Sequence, residues 1–377
     1  MDSASTGRRS PWQPAPGSRQ AVVLNAVRER GSVRVTELAQ ELRVTPVTVR
    51  RDVAMLADAG LVQRVHGGAT ALEGTDGTPA WQPGPRTQTG SVGVLVPSLD
   101  FYWPDVVRGA EEEASRLGLR LLLRGSVYHA RDERADIARL LDAGVKGVLL
   151  APTMSGPGGD HIRTWLAEAP VPVVLMERAA TVGPVQRAVE SVLTDHAGGA
   201  AMAVNHLANL GHRRIGVVLN ENSPHVHQIR RGWQEACAER GLSTQGVTDI
   251  ALPDHREESF EPTINAVVGS ALETGCTALI VHSDPEALRI LQNAEELGVD
   301  IPTDLSVISY DDQVAALSTP ALSAMRTPRR TIGRTAVKLL AERLAEPARP
   351  MHRVQVSPTL VVRDSSGPPG GADGVPG

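Results

Sequence analysis

The chain has 377 residues, 41% hydrophobic and 21% charged, with a formal net charge of -5. That balance suits a folded protein of two or three domains and excludes a disordered tail protein. No window approaches the roughly 18 to 20 uninterrupted apolar residues that a bilayer helix needs, and the first twenty residues hold no run resembling a secretion signal. A membrane role is therefore not expected, and the cytoplasm is the expected compartment.

The net charge hides a split. Residues 19 to 72 carry eight arginines against five acids, a balance of +3, and residues 1 to 18 add +1, so about -9 falls on everything after residue 72. A small basic unit joined to a large acidic one points to a polyanion as the partner of the first unit alone. Stretches rich in Pro, Gly, Ser and Thr mark residues 1–17 as a disordered arm, 73–90 as a linker and 365–377 as a disordered tail.

In residues 18–72 the periodicity is helical. The first helix opens near Ser18, turns Val23 and Val27 inward and stops at Gly31; a second runs from Thr36 to Leu42. Thr45 is placed to cap a third helix whose first helical residue is Pro46, where a missing N–H costs nothing. Val49, Val53 and Leu56 share one side of it, while Thr48, Arg50 and Arg51 lie on or beside the other. A short, polar, cationic face near a helix tip suits the DNA major groove. Two β-prone runs then flank Gly67–Gly68 and read as a hairpin wing bearing Arg64 and His66.

The stretch VTELAQELRVTPVTVRRDVAMLADAGLVQRVHGGA, Val35 to Ala69, resembles the DeoR-type winged helix-turn-helix, most specifically in TVRRD and RVHGGA. The resemblance implies that Thr36, Thr45, Thr48, Arg50 and Arg51 lie at DNA, with Arg64 and His66 on backbone or minor groove. Protein contact through the same motif is the competing reading.

From residue 91 to 364 short Val/Leu/Ile runs alternate with amphipathic helices, the pattern of βα units around parallel sheets. The spacing predicts strands at Val92–Val96, Leu119–Leu123, Gly147–Leu150, Val173–Met176, Ile215–Leu219, Ala278–Val281 and Leu305–Ser309. Ligands of such sheets sit at the carboxyl ends of strands. Three of the ten aromatic residues stand together there as Phe101, Tyr102 and Trp103, a candidate stacking platform unless they pack beneath the next helix. Arg178 follows another strand, as a cleft residue or a surface ion pair; Ser283 follows a further one, with Asp284 a candidate helix cap.

Three stretches, beginning SVGVLVPSLDFYW, LTDHAGGAAMAV and IVHSDPEALRIL, resemble the effector core of the LacI/GalR regulators, which shares the fold of type I periplasmic sugar-binding proteins. The resemblance implies an α/β fold with two lobes, 91–194 with 327–356 and 195–326 with 357–364, crossed near Thr194, Thr327 and Val356. A small polar effector, a sugar by analogy, would lie between the lobes with Asp311 gripping its hydroxyls. Ile229 stands where the family usually places an arginine, which leaves Gln228 or Arg230 to reach the cleft. Residues 73–90 also lack the pattern of the family's hinge helix.

No GxxxxGK, HExxH or GxSxG motif occurs, so no catalytic residue, metal or cofactor is expected, although His225 and His227 share a loop. The expectation is a homodimeric, ligand-responsive transcription regulator, a repressor, binding palindromic operator DNA. The alternative is a sugar-binding transport receptor without gene-regulatory action, against which the basic head and the missing export signal count.

Overall fold

A computed structural model describes residues 19–30, 32–42, 44–58, 62–65, 68–71, 90–99, 102–125 and 133–370. The arm, residues 73–89 of the linker, Gly67, Phe101 and His66 lie outside these residues. So do the side chains of Arg50, Arg51 and Arg64. The chain divides into two units, 1–86 and 87–377.

The first unit packs α1 (Arg19–Arg30), α2 (Val35–Glu41) and α3 (Pro46–Asp58) around its own core of Val23, Val27, Leu38, Val49, Val53 and Leu56. Its sheet orders β1 (Ser32–Arg34), β3 (Gly68–Ala71) and β2 (Val62–Val65), with both pairings antiparallel. The expected two-stranded wing thus gains a third strand, β1, too short to show in the hydropathy pattern. Buried Asp52 pairs with Arg19 and so ties α3 to α1.

The second unit contains two six-stranded sheets. The first orders β16 (Arg353–Val356), β10 (Glu190–Thr194), β7 (Val173–Met176), β6 (Gly147–Leu150), β4 (Gly90–Val96) and β5 (Leu119–Gly125), all parallel. The second orders β12 (Asp249–Leu252), β11 (Ile215–Asn220), β13 (Ala278–His282), β14 (Ser306–Asp311), β15 (Ser323–Arg326) and β17 (Thr359–Val361), parallel except for β17. A small hairpin, β8 (Thr181–Val182) with β9 (Arg187–Ala188), hangs beside the first sheet.

Helices α4 (Trp103–Arg116), α5 (Arg134–Asp142), α6 (Gly156–Ala167) and α12 (Arg329–Ala345) accompany the first sheet. Helices α7 (His196–Asn209), α8 (Val226–Glu239), α9 (Phe260–Asn265), α10 (Val267–Glu273) and α11 (Asp284–Glu296) accompany the second. The chain passes between sheets after β10, between β15 and α12, and between β16 and β17. Strands such as Val92–Val96 are buried on both faces, which is why they read as unbroken apolar runs.

The reading of residues 365 onward as a disordered tail needs correction as far as residue 370. Ser365 is fully buried, its hydroxyl donating to the Val307 carbonyl and accepting from the Ser323 amide. The Gly367 carbonyl and the Thr277 hydroxyl engage the two ring nitrogens of buried His212, both at 2.8 Å. Composition misled here because small polar residues also fill tight, hydrogen-bonded crossings.

Burial pushes His212 below the ordinary histidine value, and half-buried His206 likewise. An imidazole depressed in the folded state takes its proton first when the chain unfolds. Stability is therefore complete above the unfolded value near 6.5 and falls as pH drops below it. Each fully excluded ring contributes a slope of at most about 1.4 kcal/mol per pH unit. Urea unfolding of the native chain should show this acid limb, and His212→Asn should be less stable at neutral pH but have a shallower limb. An equally steep limb in the variant would remove His212 from the account.

Candidate functional site

In the head, the Thr45 hydroxyl accepts from the Thr48 amide at 3.3 Å and meets the Thr48 hydroxyl at 2.9 Å, so Thr45 caps α3 as its spacing predicts. Thr36 is exposed near the start of α2. Val49, Val53 and Leu56 are buried, which fixes the rotation of α3 on its scaffold. Arg64 lies on β2.

In the second unit the carboxyl ends of strands from both sheets converge. Glu177 follows β7, Thr194 ends β10 and His196 opens α7; His225 precedes α8, His282 ends β13 and Asp311 ends β14. Glu177 and Asp311 both take positive φ, 54° and 89°. Such left-handed backbone costs non-glycine residues about 1–3 kcal/mol and persists where surroundings enforce it, often at functional sites.

The Glu177 side chain is fully buried. One of its oxygens accepts from the Tyr102 and Thr194 hydroxyls, the other from the Thr194 amide at 3.0 Å. Burial opposes ionisation, but facing His196 and the Thr194 hydroxyl outweigh it and hold the carboxyl well below its usual range. Burial and this carboxylate push the Tyr102 phenol well above its ordinary value, so it stays a neutral donor.

His196 and His225 stack, ring centroids 4.0 Å apart. Among the described residues, neither nitrogen of His196, nor Nδ1 of His225 or His282, has a hydrogen-bond partner. Burial, reinforced by His196, pushes His225 well below the histidine range, so the ring is neutral. The Tyr310 hydroxyl donates to the His196 carbonyl, seating the start of α7. Burial raises the Asp311 carboxyl above its usual range. Arg329, at the start of α12, reaches the Asp311 carbonyl and lies over the Tyr102 ring at 5.9 Å, bridging the two lobes.

The expected ligand residues fall unevenly on this arrangement. Tyr102 and Asp311 border it; Gln228 lies in the first turn of α8, its Oε1 buried and unpartnered among the described residues. Trp103 does not present a platform: it is 3% exposed and packs in the core of the first lobe, with the Arg178 guanidinium 5.9 Å from its ring centroid. Arg178 does not lie at the surface; it is buried and donates to the Pro152 and Glu177 carbonyls. Arg230 is spent on Asp249, at 2.8 Å, at the amino end of β12 and away from the strand ends. Ser283 caps α11 in company with Glu286, at 2.9 Å.

Asp284 accepts from the Ser309 hydroxyl and from the amides of Gln313, Val314 and Ala315, so it braces the loop after β14 instead of serving only as a cap. Sequence reasoning passed over Glu177, His196, His282 and Arg329. Their shared signal was position at a strand or helix end, and His196 and His282 lay inside stretches already singled out.

Residues 19–75 match the family model of a DeoR-like helix-turn-helix domain, and residues 204–366 that of a periplasmic binding protein-like domain. An uncharacterised HTH-type transcriptional regulator in the aml 5' region of Streptomyces limosus is 31% identical, over 74% of this chain and 80% of its own length. The arabinose metabolism transcriptional repressor of Geobacillus stearothermophilus is 24% identical over 88% of this chain and 90% of its own. A LacI family transcriptional regulator from Enterococcus faecium, solved with bound ribose, superposes with a TM-score of 0.60 at 23% identity, covering 74% of this chain and 99% of that one. Fold and strand-end cleft define the class: a helix-turn-helix regulator carrying a periplasmic-binding-protein-like core. The chain belongs to the LacI/GalR-type transcriptional regulators, with a DeoR-type head. No helix among the described residues is long and apolar enough to cross a membrane.

Proposed function

We propose that the protein is a repressor whose grip on a palindromic operator is set by a small polyhydroxylated effector, a sugar, held between the lobes. The observation that carries the reading is the buried polar cleft, where ring nitrogens of His196, His225 and His282 lack partners among the described residues, beside Asp311. Hydroxyls that both donate and accept suit such a mixed set of groups. The relatives support it: one is named for arabinose metabolism and another was solved with ribose. Those relatives are regulators, and the proposed role is binding rather than catalysis, carried out in the cytoplasm where operator DNA lies.

As a homodimer the protein places two heads on successive major-groove faces. Thr36, Thr45, Thr48, Arg50 and Arg51 serve the groove, and Arg64 and His66 the flanking backbone or minor groove. Effector binding shifts the lobe arrangement and with it the affinity for DNA, by about 5- to 150-fold at the coupling energies usual for such switches. Among the cleft residues, Tyr102, Gln228 and Asp311 meet the effector; Arg178 and Trp103 support the wall from beneath.

Fluorescence anisotropy with operator fragments at two salt concentrations tests the head, since phosphate contacts make affinity fall steeply with salt. Arg50→Ala with Arg51→Ala should weaken specific binding by about 100-fold or more, at roughly 1–3 kcal/mol per lost base contact, and leave effector affinity intact. Unchanged operator affinity would discard α3 as the reading helix. A melting-temperature screen over pentoses, hexoses and disaccharides tests the cleft, because a hundredfold excess over Kd adds about 2.7 kcal/mol.

A further inference from the structure

The Glu177, His196 and His225 side chains bring one carboxylate oxygen and two ring nitrogens within 4.8 Å of one another. Glu177 belongs to the first lobe; His196 and His225 open the first two helices of the second. His196 is 2% exposed, and both its ring nitrogens lack partners among the described residues, as does Nδ1 of His225. A sugar hydroxyl could satisfy one or two of these atoms. Three donors of this kind converging on one point match a different chemistry.

We propose that Glu177, His196 and His225 form a binding site for a divalent transition-metal cation of the zinc type, which clasps the two lobes together. The proposal rests on the cleft as the regulatory site and names a second ligand class for it. Imidazole nitrogen and carboxylate oxygen are the ligands a borderline cation prefers, at about 2.0–2.2 Å. Tetrahedral ligands at that range stand about 3.3 Å apart, so the present spacing needs an inward shift and a turn of the stacked rings. The carboxylate is already aimed: the Tyr102 hydroxyl and the Thr194 hydroxyl and amide hold it, leaving the oxygen that faces His196 Nε2, at 3.6 Å, with a free lone pair. Hard cations such as magnesium, which want an octahedron of oxygens, are disfavoured by two nitrogens. With three protein ligands the fourth position stays open, facing the cleft, for water or an effector oxygen.

The test uses the full chain, stripped with chelator and titrated calorimetrically with zinc chloride, then with magnesium chloride. One zinc per chain and no magnesium binding are expected. His196→Ala, His225→Ala and Glu177→Gln should each weaken zinc binding by about 100-fold or more, since even loss of a supporting partner costs 10- to 100-fold. X-ray absorption of the zinc-loaded native chain needs no variant and should show two imidazoles in the coordination sphere. Absence of stoichiometric zinc binding, or zinc held without these imidazoles, overturns the proposal. Repeating the sugar screen with and without zinc separates the two readings. A sugar that binds the stripped protein, with zinc failing to bind, defeats the metal site alone; zinc bound with every sugar silent defeats the sugar reading alone.

Discussion

Replacing Glu190 with alanine should destabilise the core by about 3–5 kcal/mol, the usual cost of leaving a buried charge without its partner. Glu190 is 1% exposed and faces two arginines that are themselves buried. Arg343 donates to it at 3.0 Å and Arg349 lies at 2.7 Å. Arg343 also donates to the Pro347, Arg349 and Pro350 carbonyls, and Arg349 to the Leu339 carbonyl. The cluster holds the segment that delivers β16 to the edge of β10. Alanine would leave buried Arg343 without its carboxylate and Arg349 with only the exposed Glu342, at 3.9 Å.

Urea unfolding of the native chain and Glu190→Ala would measure the loss. A second variant, with Glu190, Arg343 and Arg349 replaced together by leucine or methionine, should recover only the part due to unpaired charge, because the carbonyls of residues 339, 347, 349 and 350 then lose their guanidinium donors. A single-variant loss below about 1 kcal/mol, within the range of exposed pairs, would mean that water reaches the arginines.

The second large effect lies where α4 crosses α12. A Cβ on Gly109 would stand 2.0 Å from the Arg330 carbonyl oxygen, and one on Gly333 only 1.9 Å from that of Val106. Neither obstacle is a side chain that can swing away. Inside an ordinary helix Gly→Ala stabilises by about 1 kcal/mol through propensity alone. Here the sign should reverse, with Gly333→Ala losing about 3 kcal/mol as the helices are forced apart. The helix starts carry Tyr102 and Arg329, so widening this crossing should also weaken effector binding. A variant as stable as the native chain would show that the backbones separate at little cost.

The legible parts of the fold were those whose physics is local. Val92–Val96, Gly147–Leu150 and Ala278–Val281 are buried on both faces and announce themselves as apolar runs. By contrast β16 reads Arg-Val-Gln-Val, and β10 begins with an ion-paired Glu190 and a Ser191, so neither stood out. The cap at Thr45 was legible because its partner, Thr48, is three residues away.

At the cleft, strand-end reasoning pointed to the right loops but not always to the right atoms. Arg230 was drawn off by Asp249, a pairing that only the fold reveals. Glu177, His196 and His225 lie far apart along the chain and meet because two sheets point their carboxyl ends at each other. Hydropathy and spacing hold no record of such a meeting. His225 was noticed as one of two histidines in a loop, and the partners that give it meaning belonged to other strands.

The order of the strands has a further consequence during synthesis. The first sheet ends at its edge with β16 and the second with β17, so the first cannot be finished before residue 356 leaves the ribosome, nor the second before residue 361. The head, with its own core, is complete by residue 71. At translation rates of about 5–20 residues per second, the nascent polypeptide spends about 15–60 seconds with a folded DNA reader and an unfinished sensor. Premature termination within β16 would release such a molecule permanently, a reader deaf to its signal.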